Sequence, residues 1–136
     1  MKPLSFKEFE EDILEITSEV VERYNLKINH LDEYQIYASN EKSAFWFYHE
    51  AIYTLNMIFV DVKTDEKTPF YKLFEIKNIK NLYPKKPEPK CLEEIQKKRP
   101  KMDMANYYYS DICIIKEMCH LLLEHFSREF STSEIS

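Results

Sequence analysis

Apolar residues at Phe6, Phe9, Ile13, Ile16 and Val20 recur at steps of three and four, the period of one helical face. Ser5 and Glu8 place a capping box in front of them, and Leu4 with Phe9 matches the hydrophobic staple. The pattern predicts a helix over residues 6–23. A second apolar stripe, built from Tyr107, Tyr108, Ile112, Ile115, Met118, Leu122, Phe126 and Phe130, predicts a long helix over residues 104–130, with Asp103 as its N-cap. Residues 131–136 offer nothing apolar to pack, so a frayed tail is expected.

Between these helices the period falls to two. Tyr24, Leu26 and Ile28 alternate with polar residues, as do Tyr34, Ile36 and Ala38. Phe45-Trp46-Phe47-Tyr48 and Met57-Ile58-Phe59-Val60 are strand-like in composition, and residues 70–79 complete the set. The apolar positions from Ala44 to Val62 also fit a helix (Ala44, Phe47, Tyr48, Ala51, Ile52, Leu55), but their aromatic and β-branched density favours strands. Residues 39–43 and 64–69 are expected turns, with Asn40 suited to a left-handed position. Pro84, Pro87, Pro89 and Pro100 mark residues 83–101 as a long exposed connection, with a short helical turn at 91–97. The expected architecture is a single α+β domain over 1–136. An antiparallel sheet of four or five strands packs against an N-terminal helix and a long C-terminal helix.

Composition narrows the chemistry. The chain contains no glycine. Phosphate-cradling loops, dinucleotide fingerprints and nucleophile elbows all need glycine where backbone must turn tightly or approach a ligand, so these classes drop out. Three cysteines without framework spacing are expected to be reduced thiols. The start, Met1-Lys2-Pro3-Leu4-Ser5, runs into charged residues without an apolar h-region, so a cytoplasmic protein is expected. No apolar run approaches the ~20 residues of a membrane span.

Net charge is −5, unevenly placed. Residues 85–101 hold seven Lys/Arg against three Glu, leaving −9 on the rest of the chain. An acidic body disfavours nucleic acid and suits a basic protein partner. On the first helix, Glu8, Glu11, Asp12, Glu15, Glu19 and Glu22 fall within a face about 100° wide. That face is the expected contact for the partner, with Tyr109, from the run Tyr107-Tyr108-Tyr109, as a surface anchor. The basic segment 83–101 is a candidate contact for phosphate or an acidic partner.

Catalytic and metal motifs are weak. Glu117, His120 and Glu124 share one stripe of the last helix, and Glu117-x-x-His120 has the spacing of half a carboxylate-bridged di-metal site, but no second copy exists. His30 and His49 lie in strand-like context, where either can pair with a carboxylate. No catalytic residue, metal or cofactor is expected.

The capped acidic helix 5–23, the sheet-like stretch 24–79 with Phe45-Trp46-Phe47-Tyr48, and a closing helix carrying Ile112-Cys113-Ile114-Ile115 and Leu121-Leu122-Leu123 follow in a characteristic order. In that organisation the chain resembles the small α+β immunity proteins of bacterial polymorphic and contact-dependent toxin systems. The resemblance implies a non-enzymatic inhibitor that blocks one toxin, and it carries no residue over. Two alternatives are a phage-encoded antagonist of a host defence protein, and a small metal- or ligand-binding enzyme using Glu117, His120 and Glu124.

Overall fold

The computed structural model describes residues 5–32, 34–50, 54–100 and 105–130. Helix α1 spans Phe6–Arg23. The Ser5 hydroxyl accepts from the Glu8 amide at 3.1 Å, and the Ser5 amide donates to the Glu8 carboxylate at 3.1 Å, closing the capping box. Five strands follow: β1 (Lys27–Asp32), β2 (Gln35–Ser39), β3 (Ser43–Glu50), β4 (Thr54–Asp61) and β5 (Glu66–Pro69). They form one antiparallel meander in sequence order. The ambiguous stretch 44–62 is therefore strand, with Phe45 opposite Phe59 and Phe47 opposite Met57. Then come α2 (Phe70–Ile76), a 3₁₀ turn (Lys80–Leu82), α3 (Pro89–Lys98), α4 (Ala105–His125) and α5 (Ser127–Phe130). The protein is α+β, a five-stranded antiparallel sheet with an N-terminal helix and a C-terminal helix that pack against each other.

Register divides the sheet into two faces. Ile36, Ala38, Phe45, Phe47, Leu55 and Met57 turn inward and join one core cluster with Phe9, Ile13, Ile112 and Leu122 from the helices. Tyr37, Trp46, Tyr48 and Ile58 line the opposite face and are half-buried. Phe130, fully buried, closes the core against Phe45 at 4.7 Å and Phe59 at 5.3 Å.

Without glycine, other residues take the left-handed backbone positions. Asn25 (φ 53°) ends α1: its own amide bonds to Glu22 O, and the Leu26 amide reaches back to Val21 O at 2.9 Å. Asn78 (φ 60°) ends α2 with the same pair of bonds, to Glu75 O and Phe74 O. Both are Schellman closures, with asparagine in the place glycine usually fills. Tyr34 and Asp65, each at φ 60°, serve the β1–β2 and β4–β5 turns. Asn40 is not among these. Its work is done by the side chain, which donates to Tyr24 O and Phe130 O and accepts from the Lys42 and Ser43 amides, all at 2.9–3.0 Å.

Four expectations need correction. Residues 70–79 are not a strand. Phe70, Leu73 and Phe74 keep helical spacing, Pro69 is the N-cap, and Phe70 and Phe74 bury in the core, so aromatic composition misled where spacing did not. Residues 66–69, expected within a turn, form the edge strand β5. The long C-terminal helix breaks at Phe126, between α4 and α5. In the connection 83–101 the short helical turn expected at 91–97 is a ten-residue helix, α3, and it is not wholly exposed: Pro89 stands in its first turn, Cys91 and Ile95 are buried at i,i+4, and Arg99 is buried just beyond. Leu4, Asp103 and the tail lie outside the described residues.

Candidate functional site

The acidic face of α1 is two different surfaces. Over its first half, the basic end of the 83–101 segment closes down on it. The Arg99 guanidinium grips Asp12 with two bonds, Nε to Oδ2 at 3.2 Å and Nη2 to Oδ1 at 3.1 Å. It also reaches the Glu11 carboxylate at 3.0 Å, and it pairs with Glu8 at 3.5 Å. Lys98 Nζ bridges Asp12 at 2.9 Å and Glu15 at 2.7 Å. The Tyr108 hydroxyl donates to Asp12 Oδ2 at 2.6 Å. Asp12, only 2% exposed, is thus held by three side chains from two other elements.

The titrations follow this geometry. Burial acts first on Lys98 and Arg99 and pulls both down, but hydrogen bonds and charge from the α1 carboxylates outweigh it, so both remain above their ordinary values. The Tyr108 phenol is driven well above its usual range, by burial first and by the adjacent Asp12 charge second.

Two expectations fail here. Asp12 is not a solvated docking residue. An isolated carboxylate cannot be buried cheaply, and this one is buried because a guanidinium with matching fork geometry comes with it. Tyr109 is not a surface anchor either: it is 5% exposed and its hydroxyl donates to the Arg99 carbonyl. The outward member of the tyrosine run is Tyr107, at 56% exposure. The acidic partner of the basic segment is, in part, this chain's own first helix. Sequence reasoning missed Lys98, Arg99 and Tyr108, although the opposite charges of helix 1 and segment 83–101 were the available signal.

The second half of the face remains open. Glu19 and Glu22 are exposed and have no ion-pair or hydrogen-bond partner among the described residues. Glu15, also exposed, has Lys98 as its one ion-pair partner among the described residues. Three small cavities run along the seam between α1 and α4. The first, about 70 Å³, lies beside Asp12, Ile16, Lys98 and Lys116. The second, about 130 Å³, is lined by Glu15, Glu19, Lys116, His120 and Leu123. The third, about 210 Å³, is bordered by Glu19, Glu22, Arg23 and Leu123. Each is smaller than the ~300 Å³ of a small-ligand site, and each suits an inserted side chain.

Glu117, His120 and Glu124 are all exposed on α4, and only His120 reaches a cavity wall. No group of three or more His, Cys, Asp or Glu among the described residues is placed to hold a metal ion. His30 pairs with Glu10 at 3.2 Å and meets Phe6 edge-on. The side chain of His49 lies outside the described residues. The expectation of three reduced thiols also fails, because Cys91 and Cys113 form a disulfide between α3 and α4, with their Cα atoms 5.8 Å apart. The remaining thiol, Cys119, is buried, and burial pushes it up to about 12.

Comparison with known proteins yields no family model, no curated protein and no solved structure that matches the chain. Among the described residues, no helix is long and apolar enough to cross a membrane.

Proposed function

We propose that the chain is a non-enzymatic binding protein that neutralises a basic protein partner, in the manner of an immunity protein blocking its cognate toxin. One observation carries this reading. Glu19 and Glu22, unpaired among the described residues, flank a notch that Leu123 borders, on two long helices packed against each other. A lysine or arginine of the partner enters between the carboxylates while its methylene stem lies against Leu123. The like charges of Glu15, Glu19 and Glu22, at i,i+4 and i,i+3, repel one another on the free helix, and a cation relieves that repulsion. The contact is thereby narrowed from six carboxylates to the C-terminal half of the face. The α+β order of elements supports the immunity form of the reading, by resemblance of organisation.

The test compares wild type with the double variant Glu19→Lys/Glu22→Lys, each immobilised as the full chain and exposed to extract of the source organism. Wild type is expected to retain a basic protein that is released at roughly 0.5 M salt, where screening is strong. The variant is expected to retain none while melting at the same temperature. Expressed alone, the retained protein should arrest growth, and co-expression of wild type but not of the variant should restore it. Equal retention by both forms would reject this face.

A further inference from the structure

The stretch Phe70–Lys90 combines positive charge with protruding apolar side chains. It holds six lysines against two glutamates. Phe70 and Phe74 anchor α2 in the core, with Phe74 5.3 Å from Phe126. Lys77 is spent locally, lying over the Phe126 ring and donating to His125 O. The other five, Lys72, Lys80, Lys85, Lys86 and Lys90, are exposed and have no carboxylate partner among the described residues. Among them stand Ile76 at 70% exposure, Tyr71 at 50% and Leu82 at 38%.

Position matters as much as composition. Helix α2 packs against β4 and β5, at one edge of the sheet. Helix α1 meets β1, at the other edge, through Phe6 and Glu10 on His30. Helix α2, with Lys72 and the exposed Tyr71 and Ile76, and the start of α1 therefore lie toward opposite edges of the sheet.

We propose that the α2 surface docks on an anionic phospholipid bilayer, with Ile76, Tyr71 and Leu82 entering the headgroup region and the five lysines facing lipid phosphates. The proposal is independent of the binding role assigned to α1. Charge complementarity selects an anionic occupant. The form of the patch selects lipid over an acidic protein. Its apolar side chains project from a short helix and a 3₁₀ turn, and its five exposed lysines have no carboxylate partner among the described residues. A fluid layer of phosphates meets such groups without requiring a matched set of partners. Neither three apolar side chains nor a polybasic patch anchors strongly alone, and together they supply the two signals that peripheral attachment needs.

The experiment is co-sedimentation of the full chain with vesicles of 70:30 phosphatidylcholine:phosphatidylglycerol, against pure phosphatidylcholine, at about 0.1 M salt. Binding is expected to the anionic vesicles only. Lys85→Glu/Lys86→Glu should weaken it at least ~25-fold, taking roughly fivefold for each lysine lost. Ile76→Ser should weaken it severalfold, and both variants should keep the wild-type melting temperature, because these side chains are exposed. No binding to anionic vesicles overturns the proposal, as does binding that both variants retain. Stronger capture by immobilised poly-glutamate than by vesicles, lost in the same variants, also overturns it and reassigns the patch to an acidic protein.

Discussion

The two halves of the α1 acidic face are both rows of carboxylates and have opposite fates. Glu8, Glu11 and Asp12 are drawn into a clamp with Arg99, Lys98 and Tyr108, whereas Glu19 and Glu22 stay in water. The difference lies in what packs beside each half. The end of α3, carrying Lys98 and followed by the buried Arg99 guanidinium, reaches Glu8, Glu11, Asp12 and Glu15. A stripe of like charge on a helix is thus no evidence of a single surface. Part of it neutralises the chain's own cations, and only the remainder is open to a partner.

The sharpest way to break this comparison is to remove the clamp. Arg99→Met leaves Asp12 buried with Lys98 and Tyr108 as its remaining partners, and the expected loss is about 3–5 kcal/mol by urea unfolding. Adding Asp12→Leu to it should recover most of that loss, because an apolar pair of similar volume replaces a buried ion pair at little cost. A loss below about 1 kcal/mol in the single variant would mean that the clamp is decoration. Next in size is the Cys91–Cys113 link, which fixes α3 to α4 and so holds Lys98 and Arg99 over α1. Its residues are 22 apart in sequence, and Cys91→Ser/Cys113→Ser should cost about 3 kcal/mol. A non-reducing and reducing comparison of the wild type should reproduce that difference. Equal stability in the two conditions would exclude the link.

What was legible beforehand follows the same division between local and long-range causes. The bounds of α1 were legible because the capping box and the apolar period both lie within it. The strands β3 and β4 were legible because Phe45, Phe47, Met57 and Phe59 pair across one turn. Helix α2 was not: Phe70 and Phe74 have strand-like composition, and their burial depends on Phe126, about fifty residues away in sequence. Asn40 looked like a turn residue and is one. Its reach to Tyr24 O and Phe130 O, however, depends on where the two helix ends arrive. The clamp was invisible for the same reason. Glu19 and Glu22 could be foreseen as exposed acids because nothing distant intervenes, whereas Asp12 and Arg99, 87 positions apart, are joined only by the fold.

Alkali probes the clamped half selectively. The Tyr108 phenol, raised first by burial and then by Asp12, ionises near 10.0 in the unfolded chain and higher in the folded one. The folded state therefore holds more protons above pH 10. Its advantage is complete below that value and is lost as pH rises through the folded value. Lys98 and Arg99, also raised, lose stability in the same direction at higher pH. The urea midpoint should fall as pH is raised above about 10, and Tyr108→Phe should reduce the fall. An identical fall in the variant would place the sensitive group elsewhere.

The smallest effect belongs to the open half and tests the comparison from its other side. Glu19→Gln/Glu22→Gln removes two like charges that make no ion pair among the described residues. Stability should change by no more than about 0.5 kcal/mol. The change should be upward, since the i,i+4 and i,i+3 repulsions with Glu15 and between the pair are lifted. It should also shrink at high salt, as interactions between exposed charges do. A loss above about 1 kcal/mol would show that these carboxylates hold the fold as Asp12 does. The two halves would then be one structural element, and the face proposed for a partner would be occupied already.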